Sequence, residues 1–168
     1  MKYISVTLED IIKGKDERAD YQRILIDTYG CSLVSFTVVM PGNVKKNEMS
    51  EKIFLKGKAE IEAALEGYSV VYKNEKDKIT GPEAFYCVNI SSSELKKLMV
   101  ELEQNCKIGR LFDIDVIDEN YTPVSRTALN LPERKCLICE NAAHVCARSR
   151  KHTKEELLAE IERVLSNE

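Results

Sequence analysis

Residues Gly109 to Asp118 read GRLFDIDVID, and the side-chain alternation in this stretch decides the fold class. Leu111, Phe112, Ile114, Val116 and Ile117 have the apolar, β-branched character of a buried strand, yet Asp113 and Asp115 interrupt it. Side chains on a strand alternate between faces. Leu111, Asp113 and Asp115 are therefore expected on one face, and Phe112, Ile114 and Val116 on the other. An unpaired buried carboxylate costs on the order of several kcal/mol, so the aspartates need water, a cation or basic side chains. If helices cover the apolar face, both carboxylates stand on an open one, about 7 Å apart along the strand. Two hard oxygen ligands so placed can converge on Mg2+, which usually shares its coordination sphere with substrate phosphates. An ordinary solvated sheet face has the same pattern. Ser35 and Thr37 of CSLVSFTVVM alternate in the same sense and widen the polar patch if the two strands are neighbours.

Working outward, Thr7 caps a short helix, TLEDIIKG, and DERADYQRILIDTYG forms a second helix that stops at Gly30. CSLVSFTVVM is a strand closed by Pro41-Gly42, and Ser50 opens a helix through SEKIFLKGKAEIEAALEGY, weakened in the middle by Gly57. The strands YSVVYKN and EAFYCVNI flank the turn material EKDKITGP, and Ser91 to Ser93 cap the helix SELKKLMVELEQNC. After GRLFDIDVID, Glu119-Asn120 turns the chain back into YTPVSRTAL as an added hairpin strand. TKEELLAEIERVLSNE closes the chain as a helix with a Thr153/Glu156 capping box.

From Ser32 the order is strand, helix, strand, strand, helix, strand. It predicts an α+β fold, an antiparallel sheet in split βαβ, ferredoxin-like order with helices mainly on one face. The hairpin strand and terminal helices complete it. A nucleotidyltransferase-like mixed sheet is the alternative, although Ser91-Ser92-Ser93 stands where that fold carries a Gly-Ser pair.

The 168 residues, 43% hydrophobic and 32% charged, predict one domain spanning 1–168, with a Cys-rich segment, 132–152, packed on it. A net charge of -3 argues against broad nucleic-acid binding. The early charges of MKYISVTLEDIIKGKDERAD do not resemble a secretory signal, and no apolar run reaches membrane-spanning length. A cytoplasmic protein with no membrane or nucleic-acid partner is expected. Cys31, Cys87 and Cys106 lie in or beside apolar segments as small hydrophobes. Cys136-x2-Cys139-x6-Cys146-x5-His152 instead offers four ligands of the kind tetrahedral Zn2+ takes in a structural site. A cluster of reduced thiols packing a loop is the other explanation.

GRLFDIDV, preceded by ELEQ and followed by an SR pair and RKCLICENAAHVCARSRKH, resembles the apo-citrate lyase phosphoribosyl-dephospho-CoA transferase family, also called citrate lyase holo-acyl-carrier-protein synthases. LVSFTVVMPGNVKKNE and the early DER triplet fit the same pattern, so the resemblance runs from about Asp16 to His152. It implies a nucleotidyltransferase. The donor is triphosphoribosyl-dephospho-CoA, the acceptor is a serine of the acyl carrier (gamma) subunit of citrate lyase, and diphosphate leaves. It implies that Asp113 and Asp115 hold Mg2+ and that Arg110 belongs to the catalytic set. It also implies that Arg18, Gly42, Lys45, Arg126 and Arg148 serve substrate binding, and it includes Cys136, Cys139, Cys146 and His152. Relatives often carry histidine before Gly-Arg-Leu, where this chain has Gln104, Asn105 and Cys106, so no histidine at that place serves as general base. The alternatives are the same chemistry on another carrier, such as that of malonate decarboxylase, and a non-catalytic zinc-stabilised carrier-binding module.

Overall fold

The computed structural model describes residues 3–167. Its sheet contains β1 (Ser32–Val38), β2 (Val70–Lys78), β3 (Gly81–Val88) and β4 (Phe112–Ile117), in the order β2-β3-β1-β4. Every neighbouring pair is antiparallel. β1 and β2 therefore run parallel, with β3 inserted between them. The fold is α+β with an open antiparallel sheet, and the mixed-sheet alternative is not what forms. β2 is longer than expected, because EKDK continues the strand and only Ile79 and Thr80 separate it from β3.

Two layers of helix cover the sheet unequally. α2 (Glu48–Ala64), α3 (Ser92–Asn105) and α5 (Lys154–Ser166) bury Ile53, Ile61, Leu95, Met99 and Ile161 against Val34, Phe36, Phe112, Ile114 and Val116. α1 (Leu8–Tyr29) lies on the opposite face, where Leu25 and Ile26 meet Leu33, Phe85, Cys87 and Ile117. The expected pair of N-terminal helices is thus one continuous helix. Thr7 caps it with Asp10 in a reciprocal capping box, and Gly30 closes it in left-handed conformation. Gly14 costs helix propensity without ending the helix. α2 likewise starts earlier than expected, because Asn47 is its cap and Ser50 completes the box from inside.

Two glycines are demanded by close approach. A Cβ on Gly57 would sit 2.3 Å from Cζ of Phe36, the ring that stacks on Phe54 and meets Phe112 edge-on. A Cβ on Gly109 would sit 2.0 Å from the Glu103 carbonyl oxygen. That contact folds Gly109–Leu111 into a single 3-10 turn before β4 begins. Leu111 therefore leaves the aspartate face and joins the core under α2 and α3, which corrects its expected alternation with Asp113.

The hairpin strand expected of YTPVSRTAL shrinks to one bridge, Ile117 with Pro123, before the chain departs through a 3-10 turn at Thr127–Leu129. Pro123 has no N–H to extend a ladder. The segment that follows carries α4 (Ala143–Ser149). No disulfide joins cysteines among the described residues, and no described helix is long and apolar enough to cross a membrane.

Gly109→Ala is expected to destabilise the protein by about 2 kcal/mol or more, because backbone meets backbone there. Gly14→Ala faces only the Thr80 side chain, at 3.0 Å. It should be close to neutral, since a gain of up to about 1 kcal/mol in helix propensity offsets the crowding. Urea unfolding midpoints compare the two variants directly.

Candidate functional site

The β1–β4 register sets Ser35 opposite Asp115 and Thr37 opposite Asp113. Both carboxylates are solvent-exposed, whereas Phe112, Ile114 and Val116 between and around them are buried. The open-face expectation holds for the pair, with α1 walling one side of it. The Thr37 hydroxyl donates to Asp113 at 3.1 Å, and Gln22 of α1 donates to Ser35 at 2.9 Å. The Arg134 guanidinium lies 3.8 Å from the other Asp113 oxygen.

Glu83 of β3 is a third carboxylate on this face, and sequence reasoning did not single it out. It lies one pair beyond Phe36–Ala84, on the far side of Thr37 from Asp113, and opposite Lys76 of β2. Its alternation with Phe85 and Cys87 was the available signal, obscured by the apolar run around it. Glu83 is 1% exposed. Arg18 of α1 donates to its Oε1 at 3.1 Å, while Oε2 has no hydrogen-bond partner. The DER triplet thus places Arg18 at the acidic face, as a partner of Glu83.

Asp115 keeps solvent contact, yet the protein packed around its carboxyl displaces part of its water; that desolvation, and then the neighbouring charge of Asp113, push it above the ordinary aspartate range. Lys96, Arg18 and Arg134 pull in the other direction without cancelling the effect. Asp113, Asp115 and Glu83 do not close into a three-ligand cluster, since the described residues hold such a set only at the cysteines. A divalent ion here would take one or two carboxylates and leave the rest of its sphere to water and phosphate oxygens. That is how Mg2+ is usually held.

β4 is an edge strand, and cations cover its outward carbonyls. Arg134 donates to the Phe112 oxygen at 2.5 Å and to the Arg110 oxygen at 2.7 Å. Lys96, buried on α3, reaches the Ile114 oxygen at 3.5 Å, and burial lowers its pKa. These contacts blunt an edge that would otherwise recruit another strand.

The remaining predicted residues divide. Arg110 lies in the 3-10 turn and donates to the Cys136 carbonyl at 3.3 Å, so it is tied to the Cys-rich segment. Arg126 is paired with buried Glu103 and also donates to the Pro132 carbonyl. The Lys45 ammonium donates to the Met40 carbonyl at 2.6 Å, and burial together with Lys15 lowers its pKa. Gly42 packs so closely on Lys154 that a Cβ would meet the lysine side chain at 2.7 Å. Arg148 lies exposed on α4.

The cysteine spacing does converge. One ligand atom each from Cys136, Cys139, Cys146 and His152 lie within 4.8 Å of one another. The Cys139 and Cys146 sulfurs are 3.5 Å apart, and His152 Nε2 is buried with no hydrogen-bond partner. The Asn141 backbone N–H and His152 drop the Cys139 thiol to about 6. Burial and the neighbouring thiols raise Cys146 to about 11. Three sulfurs and one imidazole at this separation form a set able to hold a metal ion such as zinc.

A family model for apo-citrate lyase phosphoribosyl-dephospho-CoA transferase matches residues 6–168 of the chain. A Vibrio cholerae serotype O1 (strain M66-2) protein named probable apo-citrate lyase phosphoribosyl-dephospho-CoA transferase is 41% identical over 162 residues, covering 95% of this chain and 91% of the relative. An Escherichia coli O7:K1 protein, named apo-citrate lyase phosphoribosyl-dephospho-CoA transferase, is 34% identical over 165 residues, covering 97% and 90%.

The raised Asp115 carboxyl fixes the sign of a pH effect. A native pKa above the unfolded value means that ionising Asp115 disfavours the fold, so stability from this group is lost as pH rises through its native pKa. Asp115→Asn is therefore expected to melt above wild type at pH 7 in divalent-free buffer. The gap should close on acidification towards the ordinary aspartate range. Melting curves across pH 3.5 to 7.5, on the order of the carboxylate titration range, check both statements.

Proposed function

The chain belongs to the apo-citrate lyase phosphoribosyl-dephospho-CoA transferase family, and we propose that it attaches phosphoribosyl-dephospho-CoA to a serine of the citrate lyase acyl carrier subunit by nucleotidyl transfer. The donor is triphosphoribosyl-dephospho-CoA. A bond forms between the serine oxygen and the α-phosphorus, the bond from that phosphorus to the bridging oxygen breaks, and diphosphate leaves. Residues 1–168 act as one transferase unit in this scheme, with segment 132–152 as a part of it.

The observation that carries the proposal is the pair Asp113 and Asp115, two exposed carboxylates projecting from one face of a rigid strand. They would hold Mg2+, which supplies charge neutralisation at the α-phosphate when bound. The Thr37 hydroxyl orients Asp113 and the Arg134 charge lies 3.8 Å from its other oxygen, so one ligand is preorganised before the donor arrives. Asp115 completes the pair, and one carboxylate of the two would also accept the serine proton. Arg18, anchored on Glu83, stands over the same face and adds positive charge beside the polyphosphate. Arg110 holds the Cys-rich segment against the start of β4.

Cys136, Cys139, Cys146 and His152 would hold Zn2+ as a structural ion. The buried His152 Nε2, without a hydrogen-bond partner, supports a metal over a packed cluster of thiols, because a buried imidazole nitrogen needs a partner. The ion would pin a segment that contains only one short helix of its own.

Incubating the protein with apo-carrier, donor and Mg2+ should add one phosphoribosyl-dephospho-CoA mass to the carrier. Asp113→Asn and Asp115→Asn should each lower the rate by roughly 10²-fold or more with the fold intact. Near-normal rates in either variant rule out the aspartate-pair mechanism. Protein purified without added metal should retain zinc near one equivalent, and Cys146→Ser should lose both zinc and thermal stability. A metal-free wild type of unchanged stability removes the zinc assignment.

A further inference from the structure

The Cys-rich segment does more than cover the end of the sheet, because it lines a cavity of about 710 Å3 together with Val39, Arg110 and the start of α5. Five cations line it: Arg110, Arg134, Lys135, Arg150 and Lys154. No carboxylate is among its described lining residues. Its apolar surface comes from Val39, Leu137, Ala143, Ala147 and Leu157, and Cys136, Cys146 and His152 of the converging ligand set form part of its wall. The volume is that of a site for a nucleotide-sized ligand.

In a chain of net charge -3, five cations around one apolar hollow are a concentration that composition does not predict. Most of them lack a full counter-charge. Arg110 is spent on a carbonyl, Arg134 on two carbonyls and a long contact to Asp113, and Lys135 faces Glu140. Arg150 and Lys154 have no anionic partner among the described residues. Both also sit where stability alone would not place them. Arg150 adopts a left-handed backbone at φ 49°, and Lys154 is a cation in the first turn of α5, against the helix dipole.

We infer that this cavity binds the adenosine diphosphate part of the donor's dephospho-CoA arm, with the base against the apolar surface and the diphosphate on Arg150 and Lys154. The ligand class follows from the lining: a polyanion satisfies the uncompensated cations, and a flat apolar body fills what a bare inorganic anion would leave wet. Arg134 joins the cavity to the acidic face, since it lines the one and contacts Asp113 of the other. A donor seated here therefore extends its triphosphate past Arg134 towards Asp113 and Asp115. Gly42 packs on the Lys154 side chain, so it would act through that lysine. The inference rests on the transferase reading for the identity of the ligand, although the cavity itself does not.

The test uses the intact protein, dephospho-CoA and inorganic diphosphate as separate titrants in calorimetry, and the paired variant Arg150→Gln with Lys154→Gln. Dephospho-CoA is expected to bind without Mg2+ and to weaken at least tenfold in the variant. The donor KM should rise by a similar factor, while kcat stays within about threefold. A melting temperature not below wild type and an unchanged zinc content exclude a loss of fold, and Lys154→Arg is expected to keep the affinity that Lys154→Gln loses. If inorganic diphosphate binds as tightly as dephospho-CoA and displaces it, the cavity belongs to the leaving group and the inference is overturned. Unchanged dephospho-CoA affinity in the variant overturns it too, even with a fully active transferase. A wild type that binds dephospho-CoA but never modifies the carrier would instead sink the transferase reading and leave the cavity assignment standing.

Discussion

Slipping β4 by one residue against β1 would turn Asp113 and Asp115 inward beneath α2 and α3 and put Phe112, Ile114 and Val116 in water. Two unpaired carboxylates would then occupy the space of three fully buried apolar side chains, which no domain of ordinary stability tolerates. The register is pinned at both ends. Phe112 meets Phe36 edge-on above Gly57, and the Gly109 turn admits the chain to β4 only because no side chain stands between it and the Glu103 carbonyl. Every feature of the acidic face follows from that pinning, including the Thr37 hydroxyl on Asp113 and the position of Glu83 across β1.

The same face is poorly optimised for stability. Asp113 and Asp115 repel each other, Glu83 keeps one buried oxygen without a partner, and cations from α1, α3 and the Cys-rich segment only partly compensate. Such local conflict is common where a site is built to receive a charged ligand, and it is maintained by packing elsewhere. Here the packing is the aromatic and aliphatic layer under α2, α3 and α5.

The Cys-rich segment supplies the basic counterpart. It has little regular structure to hold it in place, and its attachments are specific: Arg110 to the Cys136 carbonyl, Arg134 to the outer edge of β4, and the convergence of three thiols with His152. Through Arg134 one side chain closes the sheet edge, brings a positive charge near Asp113 and lines the neighbouring cavity. Arg134 thus belongs both to the acidic face and to the wall of the cavity.

The alternation in FDIDVI, the caps at Thr7, Ser91 and Thr153, and the C-x2-C spacing were legible in the chain itself, because each is a local property repeated at the period of its own element. They determined the α+β class, the open face of the aspartates and the candidate ligand set. The continuity of α1 through Gly14, the loss of the hairpin strand at Pro123 and the transfer of Leu111 to the core were settled by packing between distant segments. So were the places of Glu83, a carboxylate within an apolar strand, and of Arg134, one of many charges in the chain. Sequence determines which way a side chain points along its own element. Only the folded chain decides what stands opposite it, because that depends on contacts between residues far apart in order.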